Sequence, residues 1–266
     1  MNCEEFLELI WQKGAELYRD MPWRQDTRPY YVLVSELMLQ QTQVDRVIPK
    51  FTAFIERFPD EVTLASAPLS DVLTMWNGLG YNRRARFLHE SAKRIVHDFN
   101  GIFPQTAVEI RTLPGVGEGT TGAIMTYAFN AVQPFIETNV RTVYFQHFFQ
   151  DHDRVTDAQI MEVLLATMAT DMPREFYWAL MDYGSWLKRQ GAGRNALSSG
   201  YKKQSPLKGS VREVRGQIIK ALTVRAMSRK ELEQYVQADE RFEGALRGLA
   251  RDALISVTDG TFHLTK

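Results

Sequence analysis

The sequence predicts a mainly α-helical protein that ends in a small helical segment with a β-hairpin. Three observations carry that expectation. From the N-terminus to about Arg189 the apolar residues recur mostly three and four positions apart, as in Phe51, Phe54, Ile55 and Phe58, the spacing of a helix with one buried face. Glycine and proline in this part fall in short gaps, where they separate one helix from the next. Near the C-terminus, LISVTDGTFHL alternates apolar and polar residues around Asp259-Gly260, a pair suited to the positive φ angles of a type I′ hairpin turn.

Composition narrows the class. A chain of 266 residues, 44% of them hydrophobic, can bury a sizeable core and hold more than one domain. Lys and Arg balance Asp and Glu, for a formal net charge of +0, so a nucleic-acid partner would have to be met by local basic patches. The single cysteine, Cys3, excludes an internal disulfide framework, a zinc site built on cysteines and a four-thiolate iron–sulfur cluster. No apolar run approaches the ~20 residues that span a bilayer, and the opening MNCEEFLELI carries acids where a signal peptide carries Lys or Arg. A cytoplasmic protein is expected, nucleoid-associated if the cell is bacterial or archaeal.

Taken in order, residues 1–190 read as helices. Thr106 and Glu109 form a capping-box pair ahead of a short helix that runs to Leu113. Residues 191–209 are rich in Gly, Ser and Lys and read as a basic linker. Residues 210–266 then give a helix from about Val211 to Thr223, a second opened by Ser228 with Glu231 as its capping partner, a third from about Arg241 to Ala253, and the hairpin. Three helices followed by such a hairpin resemble a winged helix-turn-helix domain. Its third helix and wing would meet DNA through Arg241, Arg247 and Arg251, or the domain would dock a repair-protein partner. Between Lys188 and Lys220 stand Lys188, Arg189, Arg194, Lys202, Lys203, Lys208, Arg212, Arg215 and Lys220 against one acid, Glu213, which suits phosphate contact or a solvated linker. Arg83, Arg84 and Arg86 directly follow Tyr81, and such interleaving of aromatic and cationic residues suits a DNA face.

Three local patterns point to chemistry. Thr112-Leu-Pro-Gly-Val-Gly117 joins two helices, and its glycines let backbone N–H groups at the next helix start approach a phosphate. Glu36 interrupts Tyr30-Tyr-Val-Leu-Val-Ser-Glu-Leu-Met-Leu, a helix apolar nearly all round. It is either a carboxyl whose pKa is raised by an apolar setting, and so an acid near neutral pH, or a glutamate turned to the wet edge that Ser35, Gln40 and Gln41 offer. Glu137 stands where an apolar extended stretch gives way to a helix. It is either an ordinary N-terminal cap or a carboxylate kept ionised by the helix, with help from Thr138 and Asn139. Two carboxyl groups with pKa values pushed apart are what glycosidic bond cleavage requires.

The blocks Met21-Pro-Trp-Arg24, SELMLQQTQV at Ser35 to Val44, NGLGYNRRARFLH at Asn77 to His89, LPGVG at Leu113 to Gly117 and MDYG at Met181 to Gly184 occur in order. Together they resemble the helix-hairpin-helix (HhH-GPD) DNA glycosylases, and among them the MutY-type adenine glycosylases, over about residues 5–188. The resemblance implies a two-lobed helical fold that takes double-stranded DNA with a mismatched or damaged base and flips the target nucleotide into a pocket. It puts Glu36 at the family's general acid, Gln41 at a residue that enters the base stack near the lesion, Tyr81 at an aromatic of the same intrahelical surface, and Trp23, Arg24 and Asp182 at the base pocket beside Asn139. It puts Leu113, Gly115, Val116, Gly117 and Gly119 at the DNA-binding hairpin, where relatives also hold a monovalent cation through loop carbonyls.

Four departures bear on mechanism. The family's essential aspartate is here Glu137, one methylene longer. Relatives that nick the strand carry a lysine where this chain has Gly119, so base removal without Schiff-base lyase chemistry is expected. The cluster-bearing relatives place four cysteines after MDYG, and here there is none, so no iron–sulfur cofactor is expected. The winged helix stands in place of the C-terminal domain usual in glycosylases that act opposite 8-oxoguanine. Three functions stay open: a monofunctional glycosylase removing mispaired adenine, one that has changed to another mismatched, damaged or modified base, or a catalytically idle DNA-binding regulator. His89, His97, His147, His152 and His263 show no metal-ligand spacing.

Overall fold

The computed structural model describes residues 1–198 and 206–266; Lys202 and Lys203 of the basic linker lie outside the described residues. The first half of the chain forms α1 (Cys3–Leu17), α2 (Pro22–Gln25), α3 (Pro29–Leu39), α4 (Val44–Arg57), α5 (Glu61–Ser66), α6 (Leu69–Trp76) and α7 (Arg83–Asp98). There follow α8 (Ala107–Ile110), α9 (Glu118–Phe129), α10 (Thr138–Phe148), α11 (Asp157–Thr167) and α12 (Pro173–Arg189). After the linker come α13 (Val211–Val224), β1 (Met227–Ser228), α14 (Arg229–Val236), α15 (Phe242–Arg251), β2 (Ile255–Thr258) and β3 (Thr261–Leu264). Among the described residues no helix is long and apolar enough to cross a membrane.

The capping chemistry legible in the sequence is present. The Thr106 hydroxyl accepts from the backbone N–H of Glu109, although α8 stops at Ile110 instead of Leu113. Ser228 and Glu231 form a full capping box at α14. Asp259 and Gly260 have φ +49° and +74°, and β2 pairs with β3 antiparallel from Ile255↔Leu264 to Thr258↔Thr261. The short β1 adds to β3, for the order β1-β3-β2.

The chain divides into two compact units. One comprises Met1–Val32, Gln105–Arg111 and Val116–Lys203, the other Leu33–Pro104, Thr112–Gly115 and Gln204–Lys266. In the first, α12 packs on α1, α9 and α10, with Phe6 against Tyr144 and Phe148. In the second, α7 packs on α5 and α6, around a core that includes Phe54, Phe58 and Trp76. The C-terminal elements belong to this second unit: α13 and β3 both lie against α6, while α13 also holds α14 and α15. Compactness thus groups the residues after the linker with 33–104.

Candidate active site and nucleic-acid interface

In the unit that contains α10 and α12, the extended stretch before Glu137 is fixed from both sides. Phe135 stacks on Tyr177 with ring centroids 4.2 Å apart. Its backbone N–H donates to the Tyr177 hydroxyl oxygen at 2.8 Å, and that hydroxyl donates back to the Phe135 carbonyl at 3.0 Å. Gly122 of α9 makes room, since a Cβ there would meet the Phe135 Cβ at 2.5 Å. Two residues later Glu137 is the N-cap of α10, half-buried, and its side chain caps no N–H.

One expectation changes here. Glu137 makes no cap hydrogen bond that would favour its ionised form, and burial raises its carboxyl above the ordinary 4.5, with the attraction of Arg141 and Lys188 opposing that only in part. Removal from water penalises the charged form more than two nearby cations favour it. Desolvation and Arg19 push the Lys188 amine down, while Glu137 pulls it up. Asn139 is held close by, where Gly184 of α12 lets the helices touch; a Cβ at 184 would lie 2.4 Å from the Asn139 carbonyl oxygen. The Asn139 amide nitrogen reaches the Met181 sulfur at 3.5 Å. Its Oδ1 is buried with no hydrogen-bond partner among the described residues, an acceptor available to a ligand N–H.

The Arg24 and Asp182 assignments also change. Arg24 and Asp182 are 6% and 1% exposed, and they face each other in a bidentate pair at 2.6 and 3.0 Å. Arg19 closes the cluster, its Nε donating to the Asp182 Oδ1 at 2.6 Å, and the rings of Tyr18 and Trp178 lie 5.3 and 5.2 Å from the Arg24 guanidinium. With both charges satisfied by each other, the pair braces α2 against α12 instead of presenting a charge to a base. Trp23 beside it is buried as well. Arg19 carries no signal in the sequence, because nothing in its local pattern distinguishes it from a surface arginine.

In the other unit, Glu36 lies on α3, half-buried, between the buried Ser35 and Leu37. The exposed Gln41 follows α3 with φ +58°, and Tyr81 precedes α7 with φ +48°, a left-handed conformation that costs a side-chain-bearing residue energy. One guanidinium organises both turns. Arg84, 6% exposed, donates from Nη1 to the carbonyls of Leu37, Met38 and Gln40 at 2.6–2.9 Å. Its Nη2 donates to the Thr42 hydroxyl and to the carbonyls of Leu79 and Gly80. It therefore satisfies the orphan carbonyls that end α3 and ties them to the loop before Tyr81. Burial brings its pKa down to about 10, still charged at neutral pH.

Arg84 is consequently not a phosphate contact, a third correction. Arg86 is engaged too, by the Asp252 carbonyl at 2.6 Å and by Glu90. Arg83 remains exposed, at 3.7 Å from the Asp252 carboxylate that Arg215 grips at 2.6 Å. Of the basic stretch, Arg194 donates to the Gln150 carbonyl, and Arg212 bonds the Tyr81 hydroxyl. Arg241 is engaged by the carboxylates of Asp239 and of Glu213 on α13, whereas Arg247 and Arg251 are exposed on α15.

Thr112–Gly115 of the hairpin belong to one unit and the residues from Val116 onward to the other. Leu113 and Val116 are buried, so any contact from them is through the backbone. Gly115 has φ +79°, and a Cβ there would meet the Phe87 Cβ at 2.9 Å, so both conformation and space require glycine. The carbonyls of Thr112, Pro114 and Gly115 each accept a hydrogen bond, from Arg94, Ser91 and Gln40, and a carbonyl oxygen has a second lone pair. Gly117 opens α9 without a side-chain cap, and Gly119 has open space around it.

Residues 34–167 match the family described as HhH-GPD superfamily base excision DNA repair protein. The chain is 32% identical to an adenine DNA glycosylase of Mycolicibacterium smegmatis, over 96% of this chain and 94% of that protein. It is 38% identical over 171 residues to an adenine DNA glycosylase of Buchnera aphidicola subsp. Baizongia pistaciae; this match covers 63% of the chain and 48% of that relative, about half its length. Among solved structures, a thermostable thymine-DNA glycosylase superposes with a TM-score of 0.62 at 24% identity, over 75% of this chain and 96% of that one. An endonuclease III trapped in a covalent complex with DNA gives 0.61 at 16% identity, over 77% and 91%. These two likenesses establish the fold alone.

Proposed function

Because the chain belongs to the HhH-GPD superfamily of base excision DNA repair proteins, we propose that it is a monofunctional glycosylase that removes mispaired adenine from double-stranded DNA. The observation that carries this reading is the Arg84 cage. It holds Gln41, expected to enter the base stack, and Tyr81, expected at the same intrahelical surface, in left-handed turns fixed before DNA arrives. A protein that must unstack and flip a nucleotide gains from wedges whose ordering is already complete.

Glu36 is the general acid that protonates the departing base. Glu137 supports the positive charge that develops on the sugar. Its burial gives that role a physical basis: the ionised carboxylate is poorly solvated in the empty site, so a cationic sugar stabilises it more than the neutral substrate does, which lowers the barrier. The unpartnered Asn139 Oδ1 accepts an N–H of the bound nucleotide or of water. Trp23, Arg24 and Asp182 serve as the rigid support behind Glu137 and Asn139. With Gly119 in the place of an amine, the abasic product is released without a Schiff base. No cofactor takes part in this scheme.

The test is single-turnover excision on duplexes that place adenine, thymine, uracil or a modified cytosine against each opposite base. Adenine release is expected, with strand breaks only after hot alkali and no borohydride-trapped adduct. Glu36→Gln should lower excision ~100- to 10,000-fold while duplex binding persists. Release of another base in preference to adenine would favour the reading in which Glu137, one methylene longer than the family's aspartate, marks a changed pocket. No release from any duplex would leave a DNA-binding regulator.

A further inference from the structure

Arg212 stands in the first turn of α13, two residues after its Ser210 cap. Its Nη1 donates to the hydroxyl of Tyr81, and its guanidinium carbon lies 5.0 Å from the centroid of the Tyr81 ring. The ring is therefore held along its face and at its tip by a residue 131 positions away in sequence. The helix that supplies it is anchored: α13 packs on α6, with Val214, Ile218, Ile219 and Leu222 buried. Tyr81 is equally fixed, since Arg84 binds the carbonyls of Leu79 and Gly80 just before it and stands 5.4 Å from the same ring. Nothing in the glycosidic chemistry calls for Arg212.

We propose that Arg212 selects the base opposite the excised one, by carrying its guanidinium on the Tyr81 ring to the acceptor edge of that base. The inference rests on the glycosylase reading, in which Tyr81 stands at the intrahelical surface beside the lesion. A tyrosine there brings its hydroxyl, and whatever the hydroxyl binds, towards the base edges. A guanidinium presents parallel N–H donors. Guanine offers it two acceptors side by side, O6 and N7; 8-oxoguanine keeps O6 and adds O8 but carries a donor N–H at position 7 between them; adenine pairs an acceptor with a donor, cytosine presents a donor, and thymine has one acceptor beside a methyl group. The side chain therefore favours a guanine-type base, matching guanine with two donors and 8-oxoguanine through a single carbonyl. In this way the C-terminal segment supplies partner selection through one arginine seated on a wedge residue.

Excision of adenine opposite guanine, 8-oxoguanine, cytosine and thymine, measured for wild type, Arg212→Ala, Arg212→Lys and Tyr81→Phe, tests this. The same duplexes with a stable abasic analogue in place of adenine give dissociation constants. Arg212→Ala should lose ~10- to 100-fold of the preference for guanine-type partners over cytosine, in excision and in binding. Arg212→Lys should keep a smaller part of it, since an ammonium cannot match two acceptors at once. Tyr81→Phe removes the hydroxyl that seats the guanidinium and should also narrow the preference. Equal losses for every partner, with a salt slope shallower by ~0.9, would make Arg212 a phosphate-binding residue and overturn the proposal. So would an unchanged preference in Arg212→Ala, or a wild type that does not discriminate. If wild type excises no adenine, the glycosylase reading fails, and the binding preference alone decides the role of Arg212. A thermal midpoint equal to wild type shows that each variant is folded.

Discussion

Glu137, the proposed support of the sugar cation, carries a stability cost with a definite pH signature. Its pKa is raised in the folded protein by burial, so the fold binds a proton that the unfolded chain releases near 4.5. Stability attached to this group is complete below that value and is lost as pH climbs through the raised folded value. Glu137→Gln removes the desolvated charge. Its thermal midpoint should match wild type in acid, rise above it as pH passes 4.5, and hold that lead at neutral pH, while excision is severely impaired. A midpoint gap independent of pH would show that the carboxyl is not desolvated. Asp182 is a matter of pairing, since Arg24 and Arg19 both bond its carboxylate. Asp182→Asn leaves Arg24 buried without its partner and should cost about 3–5 kcal/mol in denaturant unfolding. A variant as stable as wild type with altered base preference would return Asp182 to the pocket.

At the scale of elements, close approach and carbonyl satisfaction matter more than the number of charges. Gly184→Ala would force a Cβ to within 2.4 Å of the Asn139 carbonyl oxygen, pushing α12 from α10 at the point where Glu137 and Asn139 are held; a loss of about 1–3 kcal/mol is expected, with a larger fall in excision than in DNA affinity. Arg84→Ala strands the carbonyls of Leu37, Met38 and Gln40 and should cost about 3 kcal/mol or more. Helix caps and the Asp259-Gly260 turn are legible in the sequence because they depend on residues within three or four positions of one another. The two-residue strand β1 is not, since a pairing so short leaves no alternation to read. The arginines after Tyr81 mislead for a different reason. An arginine that meets a phosphate and one that meets a carbonyl share the same sequence signature, and only the long-range partners, α3 for Arg84 and Asp252 for Arg86, tell them apart. Glu137 stands out by position, but the sign of its shift depends on burial against the pull of Arg141 and Lys188, which no local pattern reports.

For the molecule as a whole, the C-terminal segment is both part of a core and a candidate for DNA binding, and the two roles call for different experiments. Because α13 and β3 lie on α6 and the Asp252 carbonyl receives Arg86, a chain cut before residue 206 would expose the surface α6 gives them. Such a truncation should melt at a lower temperature by several degrees, since a few kcal/mol is a large share of a domain's stability, and any loss of DNA affinity would be confounded with unfolding. Point changes separate the effects. Arg247 and Arg251 are exposed on α15, so replacing both by alanine should leave the melting temperature within error of wild type. If α15 meets the phosphate backbone, the slope of log Kd against log salt should fall by ~0.9 for each arginine–phosphate interaction removed on duplex DNA. An unchanged slope with unchanged excision would mean that this face of α15 does not touch DNA and is open to a protein partner, which would then compete with neither Tyr81 nor Arg212 for the duplex.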